Sequence, residues 1–101
     1  MINYDEASAD KFLKEEIILP LEDVLDALKE TNWNQESISE ALRSVCEKHE
    51  IGFGKIGQPI RIAVTGGTQS PSIDQTLILL DQERVIDRIR LGIKYIKENS
   101  K

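Results

Sequence analysis

The chain has 101 residues, of which 40% are hydrophobic and 31% are charged, and its formal net charge is −5. This length suits one domain with one core, and the composition excludes a disordered chain. No apolar run approaches the roughly 20 residues of a membrane span, and the first residues do not resemble a secretory signal. A single cysteine cannot form an internal disulfide, so we expect a cytoplasmic protein without membrane partners.

The acidic residues are concentrated in the first half of the chain. Residues 1–50 contain 13 acidic and 5 basic side chains, a net charge of −8, whereas residues 51–101 contain 5 acidic and 8 basic side chains, a net charge of +3. Either both halves present solvated helix faces, or the second half meets an anionic partner. In the second case, Lys94 and Lys97 are candidate phosphate contacts, because the helical period places them on the outward side of the last helix.

Helical periodicity dominates the first fifty residues. Apolar residues at spacings of three and four predict helices over residues 4–19, 20–30 and 35–49. Pro20 suits the first turn of the second helix, and Asn34 is a suitable N-cap for the third.

The middle of the chain is rich in glycine. Residues 50–59 contain three glycines and end in a proline, which predicts a connector. A short helix over residues 59–65 then fits, ended by Gly66. The apolar run 60–64 is also β-branched and competes as a strand, but the proline before it and the glycines after it favour the helix.

Two further helix starts follow. Ser70 is a predicted N-cap with Pro71 in the first helical position, and Asp81 is predicted to begin the last helix. The sequence therefore predicts an all-α bundle of about six helices, formed by residues 1–101 as a single domain.

The residues that could carry chemistry are few. The glycine-rich stretch 65–74 lacks the lysine–hydroxyl pair and the preceding strand of a phosphate-binding loop. Cys46 and His49 have the spacing of half a zinc site without a second pair, which favours a buried thiol and a cation at a helix end. Trp33 is either a core residue or a stacking platform for a base. No nucleophile has a base nearby in the pattern, so the chain alone is not predicted to be an enzyme.

An ordered motif runs through residues 58–89, QPIRIAVTGGTQSPSIDQTLILLDQERVIDRI. It resembles the C-terminal part of bacterial-type glutamyl-tRNA synthetases, which reads Pro-apolar-Arg-x-Ala-apolar-Thr-Gly, then Ser/Thr-Pro, an apolar helix and an apolar-Arg-apolar helix. The matching positions are Pro59, Arg61, Ala63, Thr65, Gly66, Ser70, Pro71, Leu80, Glu83, Arg88 and Ile89. Asp81 departs from the pattern, since the family usually has glycine there.

The resemblance implies an α-helical anticodon-binding domain of the helix-cage type, with an acidic half (1–50) and an anticodon-facing half (51–101). The complete enzymes of this class I family join glutamate to its tRNA with ATP and magnesium. Their HIGH-like and KMSKS-like motifs are absent from this sequence. We therefore expect part of a glutamate–tRNA ligase that is inactive alone, holds no cofactor, is monomeric, and has tRNA and a catalytic domain as partners.

The resemblance also places Arg61, Ser70 and Ile73 at the anticodon. Unstacked bases can be read by a guanidinium fork, by a hydroxyl beside a helix N-terminus and by an apolar side chain that presses on a base. Each residue also has a structural interpretation: Arg61 as the partner of an acid, Ser70 as a plain cap, and Ile73 as part of the core. The alternative function is an acidic all-α protein-interaction domain that does not bind RNA.

Overall fold

The structure, a computed structural model, describes residues 4, 6–67 and 72–99. Six α-helices and one 3-10 turn follow one another in these ranges, and no strand occurs in them. The helices are α1 (Glu6–Phe12), α2 (Ile18–Glu30), α3 (Gln35–His49), α4 (Phe53–Thr65), α5 (Ile73–Leu79) and α6 (Gln82–Asn99), and the 3-10 turn (Glu15–Ile17) precedes α2. The predicted all-α bundle of about six helices is confirmed.

The helix starts that depend on a local cap agree with the sequence. The Asn34 side chain accepts a hydrogen bond from the backbone N–H of Ser37 at 2.9 Å, and α3 begins one residue after Asn34. Asp81 Oδ1 accepts from the backbone N–H of Arg84 at 2.8 Å, directly before α6. These bonds satisfy backbone donors that have no partner within the helix.

The first predicted helix is interrupted. It ends at Phe12, and a 3-10 turn leads into α2 at Ile18. Pro20 is therefore the third residue of α2 instead of the first. This position is acceptable because the first four backbone N–H groups of a helix have no partner within it, so proline loses nothing there.

The predicted connector over residues 50–59 is wrong. Most of it forms the first half of α4, which begins at Phe53 and contains Pro59 within the helix. The buried residues of this segment, Ile56, Gly57 and Pro59, explain the difference, because their packing in the core outweighs the local preference of glycine and proline. The end of α4 is as predicted: Gly66 has φ 91°, and its N–H donates to Ile62 O at 2.8 Å.

Two contacts orient α6 antiparallel to α2. At the start of α6, Gln82 Nε2 donates to the carbonyl of Leu28 at 2.7 Å, where the last carbonyls of α2 lack partners within the helix. Near the other end of α6, Lys97 Nζ lies 3.5 Å from the carboxylate of Glu22. Trp33 is half-buried between α2 and α3, and its indole N–H donates to Leu80 O at 3.0 Å.

The core is built from one apolar face of each longer helix. Its fully buried side chains include Leu21, Val24, Leu28, Ile38, Leu42, Ile56, Ile60, Leu77 and Ile89. None of the helices in the described ranges combines the length and the apolar character that crossing a membrane requires.

His49 ends α3, as the sequence predicts, and it joins α3 to α2. Its Nε2 lies against Asp23 of α2, and Lys48 Nζ is 3.2 Å from the same carboxylate. The hydrogen bond with His49, followed by that with Lys48, lowers the pKa of the Asp23 carboxyl. Asp23 thus links the first turns of α2 to the end of α3.

This linkage gives a pH-dependent prediction. Because the folded-state pKa of Asp23 is below the unfolded value, its stabilisation is present above about pH 3.9 and is lost as the pH falls through the folded pKa. Asp23→Asn should reduce the free energy of unfolding at pH 7 by roughly 0.2–1 kcal/mol, and the reduction should fade in acid. Urea unfolding at several pH values, with the exposed Asp26→Asn as control, measures this. An unchanged difference between pH 7 and pH 2 would contradict it.

Candidate nucleic-acid interface

A groove of about 600 Å³ lies where α3, α4 and the start of α5 meet. Arg43 and Glu47 line it from α3, Arg61 from α4, and Ile73 and Asp74 from α5. The walls come from three separate helices, because α3 contacts both α4 and α5 in the bundle. The groove therefore collects residues that lie far apart in the sequence.

Arg61 is one of two arginines that line the groove, together with Arg43. The side chain is partly buried, and its Nε atom is buried without a hydrogen-bond partner. Within the described part of the chain, no carboxylate forms an ion pair with its guanidinium. The backbone carbonyl of Arg61, by contrast, accepts from Thr65 Oγ1 at 2.7 Å. This hydrogen bond fixes the backbone at Arg61, whereas the N–H donors of its guanidinium have no partner among the described residues.

Ile73 borders the same groove but belongs to the core. It is the first residue of α5 and only 2% exposed, which leaves very little side-chain surface for contact with a base. In this structure Ile73 holds the start of α5 against the bundle. Its predicted contact with an anticodon base stays a prediction.

The helix that Ser70 was predicted to cap starts later. Ser72 occupies the N-cap position, and α5 begins at Ile73, two residues after the predicted start at Pro71. Ser70 and Pro71 lie outside the described residues, so the predicted role of the Ser70 hydroxyl stays a prediction.

The charge of the groove is mixed. Arg43 is exposed and forms no ion pair or hydrogen bond in the described ranges, whereas Glu47 and Glu50 add carboxylates from the end of α3. Asp74 accepts from Gln35 Nε2 at 2.9 Å, and hydrogen bonds from the Ser72 hydroxyl and from Gln35 lower the pKa of its carboxyl. Sequence reasoning missed Arg43, because only the packing of α3 against α4 and α5 places it beside Arg61.

The two lysines of the last helix lie elsewhere. Lys94 is 72% exposed, and its Nζ is 3.9 Å from Glu98. Lys97 is 56% exposed and pairs with Glu22 of α2. Neither lysine lines the groove, so both lie apart from Arg61.

Cys46 is a buried thiol, as the sequence favours. It is 5% exposed, its Sγ lies 3.9 Å from Gly52 O, and burial raises the pKa of the thiol. In the ranges that the structure describes, no group of three or more His, Cys, Asp or Glu side chains is arranged to hold a metal ion.

The sequence profile of the anticodon binding domain family matches residues 1–93. This chain belongs to the anticodon-binding domain family. The groove around Arg61 is thus part of a domain whose relatives bind the anticodon of tRNA. Family membership supports the RNA-binding interpretation over the acidic protein-interaction domain.

The fold of this anticodon-binding domain is found in a solved structure. The crystal structure of a glutamate tRNA ligase from Elizabethkingia meningosepticum CCUG26117 in complex with its amino acid superimposes with a TM-score of 0.88 at 22% sequence identity. The match covers 93% of this chain and 19% of that ligase. The chain thus spans about a fifth of the ligase's length, and at this identity the similarity shows the fold.

Proposed function

We propose that this chain is the tRNA anticodon-binding module of a glutamate–tRNA ligase. The family match supports anticodon binding, and the fold shared with a glutamate tRNA ligase supports the glutamate enzyme. In the complete ligase, a separate catalytic domain would join glutamate to tRNA with ATP and magnesium in the cytoplasm. The chain itself, as a monomer, would supply only recognition.

The observation that carries the proposal is the guanidinium of Arg61 in the groove, which has no hydrogen-bond or ion-pair partner among residues 4, 6–67 and 72–99. Bases of an anticodon loop are unstacked, so a protein can read their hydrogen-bonding edges. A guanidinium offers donors in a planar fork that matches base oxygens and nitrogens. Donors that remain unused in the folded domain are available to a base.

The mixed charge of the groove favours a base over a phosphate. Glu47, Glu50 and Asp74 would repel a phosphate, whereas a base offers both donors and acceptors. The exposed Lys94 and Lys97 lie on α6 outside the groove, where each has a single surface carboxylate nearby, Glu98 and Glu22 respectively. We therefore assign phosphate contacts to Lys94 and Lys97 of α6 and base recognition to the groove, and both assignments remain to be tested by the variants below.

Replacing Arg61 with alanine tests this function. We expect a loss of roughly 1–3 kcal/mol in binding the glutamate tRNA anticodon stem-loop, the range for a good bidentate base contact. The loss should be larger for the cognate anticodon than for an altered one, and Arg61→Lys should not restore the difference, because lysine lacks the fork. Arg90→Ala is the matched control for discrimination: Arg90 is 57% exposed on α6 and pairs with Asp87, so any loss of affinity should be equal for the two anticodons.

A second arm of the same experiment separates the recognition of bases from the electrostatic attraction of phosphates. Neutralising Lys94 and Lys97 should weaken the binding of all RNAs alike. It should also reduce the slope of log affinity against log salt by about 0.7–0.9 for each phosphate interaction that is removed. If Arg61→Ala keeps its anticodon discrimination while circular dichroism shows a folded bundle, Arg61 is a structural residue and the proposal fails.

A further inference from the structure

An apolar patch lies exposed at the corner where α5 ends and α6 begins. Leu79 is 77% exposed and Ile78 is 38% exposed, and both belong to the last turn of α5. The indole N–H of Trp33 donates to Leu80 O at 3.0 Å, which brings the half-buried ring of Trp33 to the same corner. We call these four residues, Trp33, Ile78, Leu79 and Leu80, the Trp33 patch. Single exposed leucines are common in folded proteins, whereas neighbouring large apolar side chains beside a tryptophan are typical of protein interfaces.

The rim of the Trp33 patch is acidic. The end of α2 reaches this corner, because Gln82 at the start of α6 donates to Leu28 O at 2.7 Å, and α3 begins shortly after Trp33. The exposed charged residues at these helix ends are the acids Glu30, Glu36, Asp81 and Glu83 and the bases Lys29 and Arg84. Carboxylates outnumber cations there, so the patch is complementary to a partner with positive charge.

RNA is a poor occupant of the Trp33 patch. The carboxylates of the rim would repel phosphates, since RNA binding needs local positive charge. None of the four patch residues lines the groove around Arg61. Ile73 and Asp74, which do line it, lie at the opposite end of α5, about 9 Å from Leu79 at 1.5 Å per residue. The patch is therefore a second surface, and RNA in the groove would leave it free.

We propose that the Trp33 patch docks a basic amphipathic helix of a partner protein. Such a helix presents an apolar stripe between rows of lysine or arginine. The stripe covers Leu79, Ile78 and the exposed part of the Trp33 ring, and the basic rows face the carboxylates of the rim. The indole N–H of Trp33 already has a partner in Leu80 O, so the ring contributes apolar contact alone. Tryptophan is enriched among the residues that carry most of the binding energy of an interface.

A short synthetic helix of leucine and lysine tests this proposal, and Trp33 reports its binding because it is the only tryptophan of the chain. Binding should shift the emission of Trp33 to shorter wavelength and protect the ring from quenching by acrylamide. The affinity should fall as salt is added, because the rim charges are exposed. A helix of the same pattern with glutamate in place of lysine should not bind.

Leu79→Ser should weaken the binding of the leucine–lysine helix roughly 10-fold or more, the contribution of one fully buried leucine side chain. Leu91→Ser is the matched control, because Leu91 is 52% exposed on α6 and lies outside the patch. It should leave the affinity unchanged. Both variants should remain folded in circular dichroism, since both side chains are exposed.

An equal loss of affinity in the two variants, or an unchanged Trp33 emission, would overturn the proposal. Displacement of the helix by an RNA hairpin would overturn it in favour of RNA. A dimer of the chain alone that Leu79→Ser dissociates in sedimentation would overturn it in favour of a second copy. Leu79→Ser should bind the anticodon stem-loop as the unchanged chain does, and a weaker affinity would contradict a second surface. Failure of the Arg61→Ala experiment would sink the proposed function and leave this proposal intact, because the two surfaces share no residue.

Discussion

Replacing Arg88 with methionine should lower the free energy of unfolding by about 1.5–3 kcal/mol, the range for a hydrogen bond to a charged group. Arg88 of α6 is partly buried, and its Nη1 donates to the carbonyl of Val64 at 2.8 Å. Val64 is fully buried near the end of α4, where carbonyls have no partner within the helix. Methionine preserves the apolar stem of Arg88 but leaves this carbonyl unpaired and out of reach of water.

Arg84→Met is the matched control for Arg88→Met. Arg84 is an exposed arginine one turn earlier on the same helix, and its side chain forms no hydrogen bond or ion pair in the described ranges. Its replacement should change the free energy of unfolding by less than about 0.5 kcal/mol. Thermal and urea unfolding measure both variants. Equal effects of the two substitutions would show that the charge of α6, and not the bond to Val64, is what matters.

The parts of the fold that the sequence predicts are those with a local cause. Asn34 and Asp81 each cap the helix that follows through their own side chain. A few neighbouring residues are therefore enough to predict where α3 and α6 begin. Gly66 ends α4 in a left-handed conformation that glycine adopts readily. In these places the local signal and the final structure agree.

The errors have a non-local cause. Residues 53–59 contain glycines and a proline, yet they form a helix, because Ile56 and its neighbours are buried by other helices. No window of sequence contains the partners that bury them. The same holds for the start of α5, where the burial of Ile73 accompanies a start at Ile73 instead of Pro71.

The residues of the candidate site also divide into those that the local sequence indicates and those that only tertiary packing brings together. The sequence indicated Arg61 through a motif of neighbouring residues. Arg43 lies 18 positions earlier, and only the packing of α3 on α4 and α5 brings it to the groove.

Gly92→Ala should destabilise the domain, although alanine is the better helix former. A Cβ atom at Gly92 of α6 would lie 2.9 Å from the Cβ of Ala63 of α4, well inside ordinary contact distance. Ala63 is itself 1% exposed and cannot rotate away, so the two helices must move apart. Overpacking of this kind costs about 1–3 kcal/mol, which exceeds the gain of about 1 kcal/mol in helix propensity. We expect a net loss of up to about 2 kcal/mol, or roughly 4–8 °C in melting temperature for each kcal/mol.

Gly57→Ala is the matched control for this prediction, because Gly57 is also a buried helical glycine but has space beside it. A Cβ atom there would meet only Phe53 Cδ1, at 4.0 Å, which is an ordinary contact. This variant should therefore gain most of the helix propensity term, about 0.5–1 kcal/mol, and melt at a higher temperature than the unchanged chain. If alanine destabilises the domain at Gly92 and stabilises it at Gly57, the close approach of α4 and α6 lies at Ala63. If both substitutions stabilise the domain, the two helices are not in close contact there.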